Sequence, residues 1–242
     1  MIRIDRRALN ELRPVRIVRG VQAFAEGSAM ISLGRTRVLC TVSVDDRVPF
    51  FLRGQGQGWV TAEYAMLPRA TPTRTPRDPY KSRPSGRNLE IQRMIGRALR
   101  AVVDLKSLGE HTFTIDCDVL QGDGGTRTAA ITGSYVALRD ALRSMGYPDA
   151  GSPLKGPAAA ISVGVVNGEI LLDLCYEEDS RAEVDFNVTM TASGEFVEVQ
   201  GSAEGKAYSK KTLDSMLDMA EHGIRQLFDI QQSAMDATTE AK

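Results

Sequence analysis

A glycine-rich turn between a predicted strand and a predicted helix constrains the fold of this chain more than any other feature. Residues 112–120 alternate apolar and polar side chains, which is typical of a strand with one buried face. Three glycines follow within residues 121–125, and a helical pattern then runs from about Arg127 to Met145. Glycines in such a turn allow positive φ angles and expose backbone N–H groups. The strand, the turn and the helix are therefore expected to form one corner.

The start of this helix is a candidate anion-binding site. Thr126 and Arg127 place a hydroxyl and a guanidinium beside unpaired amides and the positive end of the helix dipole. Phosphate is the anion that suits this combination. An ordinary tight turn has the same Asp-Gly-Gly composition, so the glycines alone leave that alternative open. The sequence contains neither the P-loop motif nor a dinucleotide-binding fingerprint after a predicted strand.

Composition excludes several classes of function for the 242-residue chain. Its formal net charge is −1, so the overall charge does not indicate a nucleic-acid partner. No apolar run reaches the roughly 18 residues of a transmembrane helix, and the first residues lack the apolar core of a signal peptide. The cysteines, Cys40, Cys117 and Cys175, lie in apolar runs without paired spacing. These features predict a cytoplasmic protein with buried, reduced cysteines and no membrane partner.

Positive charge is concentrated between Arg69 and Arg97. This stretch contains eight basic residues, which are opposed only by Asp78 and Glu90. Its first half, residues 67–79, is rich in proline and is predicted to be neither a helix nor a central strand. We expect an extended arm with spaced arginines, of the kind that binds single-stranded nucleic acid. A solvated polar loop is the alternative, but the arm leads directly into a helix with phosphate-binding features of its own.

That helix is predicted from about Gly86 to Leu105, because apolar residues such as Leu89 recur there at steps of three and four. Ser85 is a candidate N-cap. Arg87 lies in the first turn, where a cation is unfavourable against the helix dipole unless an anion shares the site. The chain thus has two helix N-termini with an arginine beside the first turn. The simplest use for both is to bind one phosphate.

The remaining sequence predicts an α+β fold. Residues 166–169 and 192–195 have the composition of hairpin turns. A further helix should begin after Ser209, and from about Ser233 the chain is polar and expected to fray. No linker divides the chain, although two strand-rich halves hint at an internal duplication. Strands are expected near residues 30–33, 37–44, 59–66, 112–120, 158–166, 169–176, 184–191 and 195–200.

Asp179 and Asp185 are candidate metal ligands. They flank a break between two predicted strands, and a turn there would bring their carboxylates together. Asp185 lies between two apolar residues and therefore on the polar face of its strand. Paired carboxylates suit Mg²⁺ or Mn²⁺ when substrate phosphates complete the coordination. An exposed acidic hairpin tip is the alternative, and Asp173 is a less suitable ligand because it is predicted to lie in mid-strand.

Several of these motifs together resemble the bacterial ribonuclease PH family. The most specific is the block Gln121–Thr128, and the resemblance extends over about residues 10–230. Polynucleotide phosphorylase has a similar core, but it is far longer and carries added RNA-binding domains. The other matching residues and segments are Arg74, Arg77, 85–93, 117–120, 155–156, 165–168, 174–179, 198–201 and 203–205.

The resemblance implies an α+β fold like the second domain of ribosomal protein S5, duplicated within one catalytic domain at residues 1–232, with 233–242 as a polar tail. It implies a phosphorolytic 3′–5′ exoribonuclease that trims RNA, especially transfer RNA precursors, and releases nucleoside diphosphates. A hydrolytic exoribonuclease and a non-catalytic RNA-binding ring subunit are the alternatives. The family also implies a homo-oligomer, commonly a hexameric ring built as a trimer of dimers.

The same resemblance implies roles for individual residues. The co-substrate, inorganic phosphate, would be bound by Arg87, Gly125, Thr126 and Arg127. The metal, Mg²⁺ or Mn²⁺, would be bound by Asp179 and Asp185, which together with Arg87 and Arg127 would form the catalytic set. The RNA strand would be guided by Arg69, Arg74 and Arg77. Only family position suggests Glu204, and His111 and His222 are not needed because phosphate is already an anion at neutral pH.

Overall fold

Two β-sheets lie on either side of a central helix in the computed structural model, which describes residues 2–77, 85–205 and 207–237. The first sheet has the order β1-β2-β3-β5-β4, with β1 Val15–Arg19, β2 Gly27–Leu33, β3 Thr36–Asp45, β4 Trp59–Met66 and β5 Thr112–Gln121. The second has the order β7-β6-β8-β9, with β6 Ala158–Val166, β7 Glu169–Leu172, β8 Val184–Thr191 and β9 Phe196–Ala203. The helices are α1 Gly86–Ala101, α2 Thr126–Ser144, α3 Tyr176–Asp179 and α4 Lys210–Asp236.

The central helix is α2, which packs on β2 and β3 of the first sheet and on β6 of the second. Two glycines allow the close approach to the first sheet. A Cβ on Gly27 would lie 2.0 Å from the carbonyl oxygen of Ala137, and a Cβ on Gly133 would lie 2.8 Å from the side chain of Ile31. Because α4 covers the other face of β6, that strand is buried along its whole length. This packing fixes where the N-terminus of α2 lies.

The predicted α+β class is confirmed, and both predicted hairpins are present. The 166–169 turn joins the antiparallel strands β6 and β7, with φ angles of 51° at Asn167 and 78° at Gly168. The 192–195 turn joins β8 to β9. Strand β4 runs parallel to β5, and α1 connects them as a crossover.

The first helix differs from its prediction in three details. It ends at Ala101 rather than near Leu105. Ser85 occupies the N-cap position, but its side chain accepts no capping hydrogen bond. Leu89 is exposed, so it does not belong to the buried face of α1.

The acidic segment is helical, so the expectation of a strand over 169–176 followed by an acidic break is wrong. Strand β7 ends at Leu172, and residues 176–179 form the short helix α3. Asp173 lies beyond the strand, not within it, and has a φ of 54°. The helix forms because Glu178 is buried against Arg3, with Nε to Oε1 at 2.8 Å, and also accepts the backbone N–H of Cys175.

The C-terminal helix extends further than expected. Residues 233–236 belong to α4, so the prediction of fraying from Ser233 is wrong for them. Met235 is buried in the main core. Arg19 on β1 donates to the carbonyl oxygens of Met235 and Ala237, at 2.8 and 3.1 Å, and so satisfies acceptors that a helix end leaves unpaired. The rest of the predicted tail, residues 238–242, lies outside the described ranges.

Two of the three cysteines are buried as expected. Cys40 on β3 lies opposite Cys117 on β5 in the strand register, and both are free thiols that are fully buried. Cys175 is half-exposed at the start of α3. In the described ranges, the longest helices are too short or too polar to cross a lipid bilayer.

Candidate active site

The corner between β5 and α2 exposes backbone amides to a cleft. Gly124 and Gly125 have φ angles of 78° and 66°, a left-handed conformation that side chains disfavour. Gly125 is the N-cap of α2 and has no side chain with which to cap the first amides of that helix. These amides and the positive end of the helix dipole are therefore available to an anion.

The glycine loop is held from behind by contacts to its carbonyl groups. Arg13 Nη1 donates to the carbonyl oxygen of Asp123 at 2.5 Å, and Thr36 Oγ1 donates to that of Gly124 at 2.7 Å. Thr36 also accepts the N–H of Asp123 at 2.9 Å. Arg13 is itself buried and paired with Asp173, with Nη2 to Oδ1 at 2.6 Å. Asp173 thus supports the loop through Arg13.

Close packing brings helix α3 against the same loop. A Cβ on Gly124 would lie 2.4 Å from the carbonyl oxygen of Leu174 and 2.9 Å from the backbone nitrogen of Tyr176. Any side chain at position 124 would therefore push the loop away from α3. Because α3 carries Asp179 at its last position, this contact places an acid beside the anion corner.

One cleft of about 330 Å³ contains the predicted phosphate-binding and metal-binding residues. It is lined by Arg87, Gly125, Thr126, Arg127, Asp179 and Asp185, together with Met66, Thr71, Gly122, Gly124, Ser162, Tyr176 and Asn187. Arg87 comes from the first turn of α1, Arg127 from the first turn of α2, and Asp185 from β8. Both sheets and three helices therefore contribute to one site.

The two acids of the cleft influence each other. Burial and the negative charge of Asp185 raise the pKa of Asp179, while Arg127 and Arg87 oppose that rise. Asn187, two residues along β8, donates from Nδ2 to Asp185 Oδ1 at 3.2 Å and orients that carboxylate. A cation between the two acids would relieve their repulsion.

The donor set for a metal is small. Over the described ranges, His, Cys, Asp and Glu side chains form no cluster of three or more that would suit a metal ion. Two carboxylates fit a hard divalent cation of the Mg²⁺ type, which keeps several waters and takes further oxygen ligands from substrate phosphates. They do not fit a closed structural zinc site, which needs four protein ligands.

A buried tyrosine that sequence reasoning missed supports the anion corner. Tyr64 on β4 donates its hydroxyl proton to Thr126 Oγ1 at 2.8 Å. Since that oxygen then acts as acceptor, the proton of the threonine hydroxyl is free to point into the cleft. Burial raises the pKa of Tyr64, so it remains a neutral donor at physiological pH. A tyrosine in an alternating strand resembles any core residue, which is why its role went unpredicted.

Arg127 and Arg13 also have partners that sequence reasoning missed. Arg127 Nη1 donates to Gln200 Oε1 at 2.8 Å, across from α2 to β9. Arg13 was not predicted to touch the site, and its partner Asp173 was considered only as a less suitable metal ligand. Both contacts join residues far apart in the chain, so no local pattern marks them.

The proline-rich segment 69–77 lies beside the cleft, but the three arginines predicted to guide RNA do not line it. Arg69, Arg74 and Arg77 are exposed, and the intervening Thr71 reaches the cleft wall. The segment is less extended than expected, because the N–H of Thr75 donates to the carbonyl oxygen of Pro68 at 2.9 Å. A hydrogen bond from Gly122 to Ala70 ties its base to the glycine loop. Its continuation over 78–84 lies outside the described residues.

Three residues with weaker expectations lie away from the cleft lining. Glu204 is exposed just after β9, and its N–H donates to the carbonyl oxygen of Glu183. His111 contacts the carbonyl oxygen of Leu108 and His222 contacts Gln226. These surroundings give the histidines no contact with the reacting groups.

Two family models match the chain over most of its length. The first, described as domain 1 of the 3′ exoribonuclease family, matches residues 11–144, and domain 2 of the same family matches residues 156–223. The chain belongs to the 3′ exoribonuclease family. The junction between these matches falls between α2 and β6, so the active-site cleft uses residues from both.

Individual relatives agree with the family models. The chain is 58% identical over 236 residues to two proteins called ribonuclease PH, from Dehalococcoides mccartyi strains BAV1 and CBDB1. Each alignment covers 96% of this chain and 97% of the relative. The predicted family and the predicted enzyme class, a phosphorolytic 3′–5′ exoribonuclease, are confirmed.

Solved structures support the fold assignment. An Archaeoglobus fulgidus exosome with RNA bound to the active site matches with a TM-score of 0.79 at 26% identity, covering 94% of this chain and 91% of that chain. Rice (Oryza sativa) Rrp46 matches with a TM-score of 0.78 at 20% identity, covering 97% and 100%. The predicted ribonuclease PH fold is confirmed.

Proposed function

We propose that this exoribonuclease shortens transfer RNA precursors and other RNAs from the 3′ end by using inorganic phosphate. Each turnover would release one nucleoside diphosphate, and the reaction would be reversible because the bonds broken and formed are alike. The observation that carries the proposal is the single cleft in which two arginines, an uncapped helix N-terminus and two acids meet. Hydrolysis needs no such anion-binding corner for its nucleophile.

The cations of the cleft offset the electrostatic repulsion that opposes the reaction. Inorganic phosphate must approach a phosphodiester, so two anions come together. Arg87 and Arg127, with the amides at Gly125 and Thr126, would hold the attacking phosphate and offset the repulsion. Fixing the phosphate in line with the scissile bond also removes much of the entropy cost of the encounter.

Asp179 and Asp185 are proposed to hold a divalent cation, Mg²⁺ or Mn²⁺. When bound, this ion would supply positive charge to the scissile phosphate and the leaving 3′-oxygen. Asn187 keeps the Asp185 carboxylate oriented, and Arg127 and Arg87 lower the cost of ionising Asp179. Chelation with EDTA is expected to abolish turnover, and added Mg²⁺ to restore it; turnover that persists in EDTA would contradict the metal assignment.

Arg69, Arg74 and Arg77 are proposed to guide the RNA strand toward the cleft, since the 69–77 segment is exposed and joined to the glycine loop. The structural match to an exosome with RNA bound to the active site supports RNA as the substrate of this cleft. We also propose a cytoplasmic homo-oligomer, specifically a hexameric ring built as a trimer of dimers. A ring would bring several basic segments together, which a chain of net charge −1 needs to attract RNA.

The decisive experiment uses RNA labelled at its 3′-terminal nucleotide, with Mg²⁺, in the presence or absence of inorganic phosphate. Nucleoside diphosphate that appears only with phosphate is the expected product. Nucleoside monophosphate released without phosphate would establish hydrolysis instead. Tight RNA binding without any release would support a non-catalytic RNA-binding subunit.

A further inference from the structure

A two-residue relay holds the far side of Arg127. Its Nη1 donates to Gln200 Oε1 at 2.8 Å, and Gln200 Nε2 donates in turn to Glu90 Oε1 at 2.5 Å. Gln200 lies on β9, and Glu90 lies on α1 one turn after Arg87. The relay therefore connects the two helices whose first turns carry the phosphate-binding arginines.

We propose that Gln200, oriented by Glu90, is a positioning residue for the attacking phosphate. This inference rests on the proposed function and adds a residue that acts through Arg127 rather than on the substrate. The charge of Glu90 fixes the orientation of the amide. A carboxylate only accepts hydrogen bonds, so the NH₂ of Gln200 must face Glu90 and its carbonyl oxygen must face Arg127.

The relay leaves the rest of the guanidinium free for phosphate. An arginine has five N–H donors in a planar fork, and Gln200 engages one of them. A guanidinium anchored at one nitrogen cannot rotate freely, so its remaining N–H donors keep a fixed direction toward the cleft. Less side-chain entropy is then lost when phosphate binds.

The neutrality of Gln200 is as important as its hydrogen bonds. Glu90, Gln200, Arg87 and Arg127 line a second cavity of about 510 Å³, which shares both arginines with the cleft. A carboxylate in direct contact with either arginine would compete with phosphate for its positive charge. Gln200 lies between Glu90 and Arg127, so it orients the Arg127 guanidinium without bringing a negative charge into contact with it.

A neighbouring pair on the same two elements provides the matched control. Glu198, two residues before Gln200 on β9, pairs with Arg97 on α1, with Oε2 to Nη2 at 2.7 Å. This pair also joins β9 to α1, but neither residue lines the cleft. If Gln200 only joined β9 to α1, substitutions at positions 198 and 200 should therefore have the same effect.

The experiment measures the KM for inorganic phosphate, the KM for RNA and kcat in the wild type and in Gln200→Leu, Gln200→Glu and Glu198→Gln. Gln200→Leu should raise the phosphate KM about tenfold, as expected for one lost hydrogen bond to a charged group. Gln200→Glu should raise it further, because it brings a negative charge to Arg127. In both variants the RNA KM should stay unchanged, and Glu198→Gln should behave like the wild type.

A second readout does not depend on turnover. Inorganic phosphate should raise the Tm of the wild type and of Glu198→Gln, but raise that of Gln200→Glu much less at the same concentration. Gln200→Glu preserves side-chain length, so it carries the test if Gln200→Leu does not fold. An unchanged phosphate KM and Tm shift in Gln200→Glu would overturn the inference. A wild type that gains Tm with phosphate but releases no diphosphate would refute the proposed function while leaving this positioning role intact.

Discussion

At the scale of single residues, the site depends on a few polar and charged groups that their neighbours hold in orientations suited to binding an anion. Arg127 is half-buried, anchored at one nitrogen by Gln200, and adjacent to the uncapped amides of α2. Thr126 accepts a hydrogen bond from the buried Tyr64 hydroxyl. Preorganised donors of this kind stabilise developing charge without having to reorient during the reaction.

Arg127→Ala is expected to lower phosphorolysis by at least about a hundredfold, because one major electrostatic element is lost. The fold should remain intact, since the side chain lies at a cleft wall and not in the core. Steady-state diphosphate release and thermal unfolding test these two expectations. Arg225→Ala, on the exposed face of α4, is the control and should retain full activity. Near-normal turnover in Arg127→Ala would remove this residue from the phosphate site.

Asp185→Asn should also lower turnover by about a hundredfold or more, because it removes a charge from the proposed metal site. It should also lower the pKa of Asp179, since the negative charge of Asp185 contributes to raising it. The activity is measured over a range of Mg²⁺ concentrations, with the exposed Asp214→Asn on α4 as the control. An unchanged Mg²⁺ dependence would contradict metal binding by Asp185.

Tyr64→Phe keeps the buried ring and removes only the hydrogen bond to Thr126. The phosphate KM is expected to rise about fivefold, the effect of one neutral hydrogen bond. Tyr147→Phe is the matched control, because it loses a 3.0 Å hydrogen bond to Leu108 outside the cleft. If the two variants raise the phosphate KM equally, Tyr64 has no special role.

At the scale of elements, helix α3 is the part of the site that depends most on distant support. Four residues make a helix too short to be stable alone. Arg3 holds it through a buried, bidentate pair with Glu178, at 2.8 and 2.7 Å, and Arg3 also donates to the carbonyl oxygen of Asp173. The position of Asp179, the next residue after Glu178, therefore depends on an arginine near the start of the chain.

Glu178→Gln should reduce the free energy of unfolding by about 3 kcal/mol at pH 7, because it leaves Arg3 as an uncompensated buried charge. Burial acts to raise the pKa of Glu178, but Arg3 and the Cys175 N–H outweigh it and lower that pKa. The stabilisation is then present above the ordinary glutamate pKa and is lost as the pH falls through the lowered value.

Urea unfolding at several pH values tests this expectation. The wild type should lose stability below the ordinary glutamate pKa more steeply than Glu178→Gln, because the variant has no carboxylate to protonate. Arg6→Ala is the control, since the Arg6 side chain is exposed in the same N-terminal segment. Equal acid sensitivity in the wild type and Glu178→Gln would contradict the role of this pair.

The elements that sequence predicted well are those with local signals. Helix α2 and strands β4 and β6 agree with their predictions to within a residue or two, because each has a clear apolar pattern and a marked end. Strand β1 was missed because it is only five residues long and Ile17 and Val18 are adjacent, which breaks the alternation that marks a strand with one buried face. Helix α3 was missed because its acidic sequence has no apolar period and its stability comes from Arg3.

The same distinction applies to the site. The residues proposed to bind phosphate and metal could be brought to one cleft from the sequence because glycine, arginine and aspartate stand in a specific family motif. Their supports, Arg13, Tyr64 and Gln200, belong to ordinary-looking segments and act across distances that only the folded chain brings together. No residue-by-residue pattern encodes such partners.

At the scale of the whole molecule, one buried pair connects the N-terminal segment, the glycine loop and the second sheet. Arg13 binds Asp173, just beyond β7, and the carbonyl oxygen of Asp123 in the loop. Nearby, the N–H of Leu172 donates to the carbonyl oxygen of Leu9. The segment before β1 thus joins both halves of the molecule beneath the cleft.

Asp173→Asn should destabilise the protein by about 3 kcal/mol, because Arg13 would keep its buried charge without a counter-ion. The phosphate KM should rise as well, since Arg13 fixes the glycine loop. Unfolding in urea and steady-state kinetics measure the two effects, with Asp214→Asn, whose carboxylate pairs with Lys210 on the surface of α4, as control. A loss of stability with an unchanged phosphate KM would show that Arg13 does not position the loop.

The pairing of Arg3 with Glu178 and of Arg13 with Asp173 also determines when activity can first appear during protein synthesis. The ribosome makes each arginine before its counter-ion, which follows only after 175 residues for Arg3 and 160 for Arg13. Until then, burial of either arginine costs too much free energy for the site to close. A nascent chain therefore cannot assemble the support beneath the cleft until residues 173 and 178 have left the ribosome.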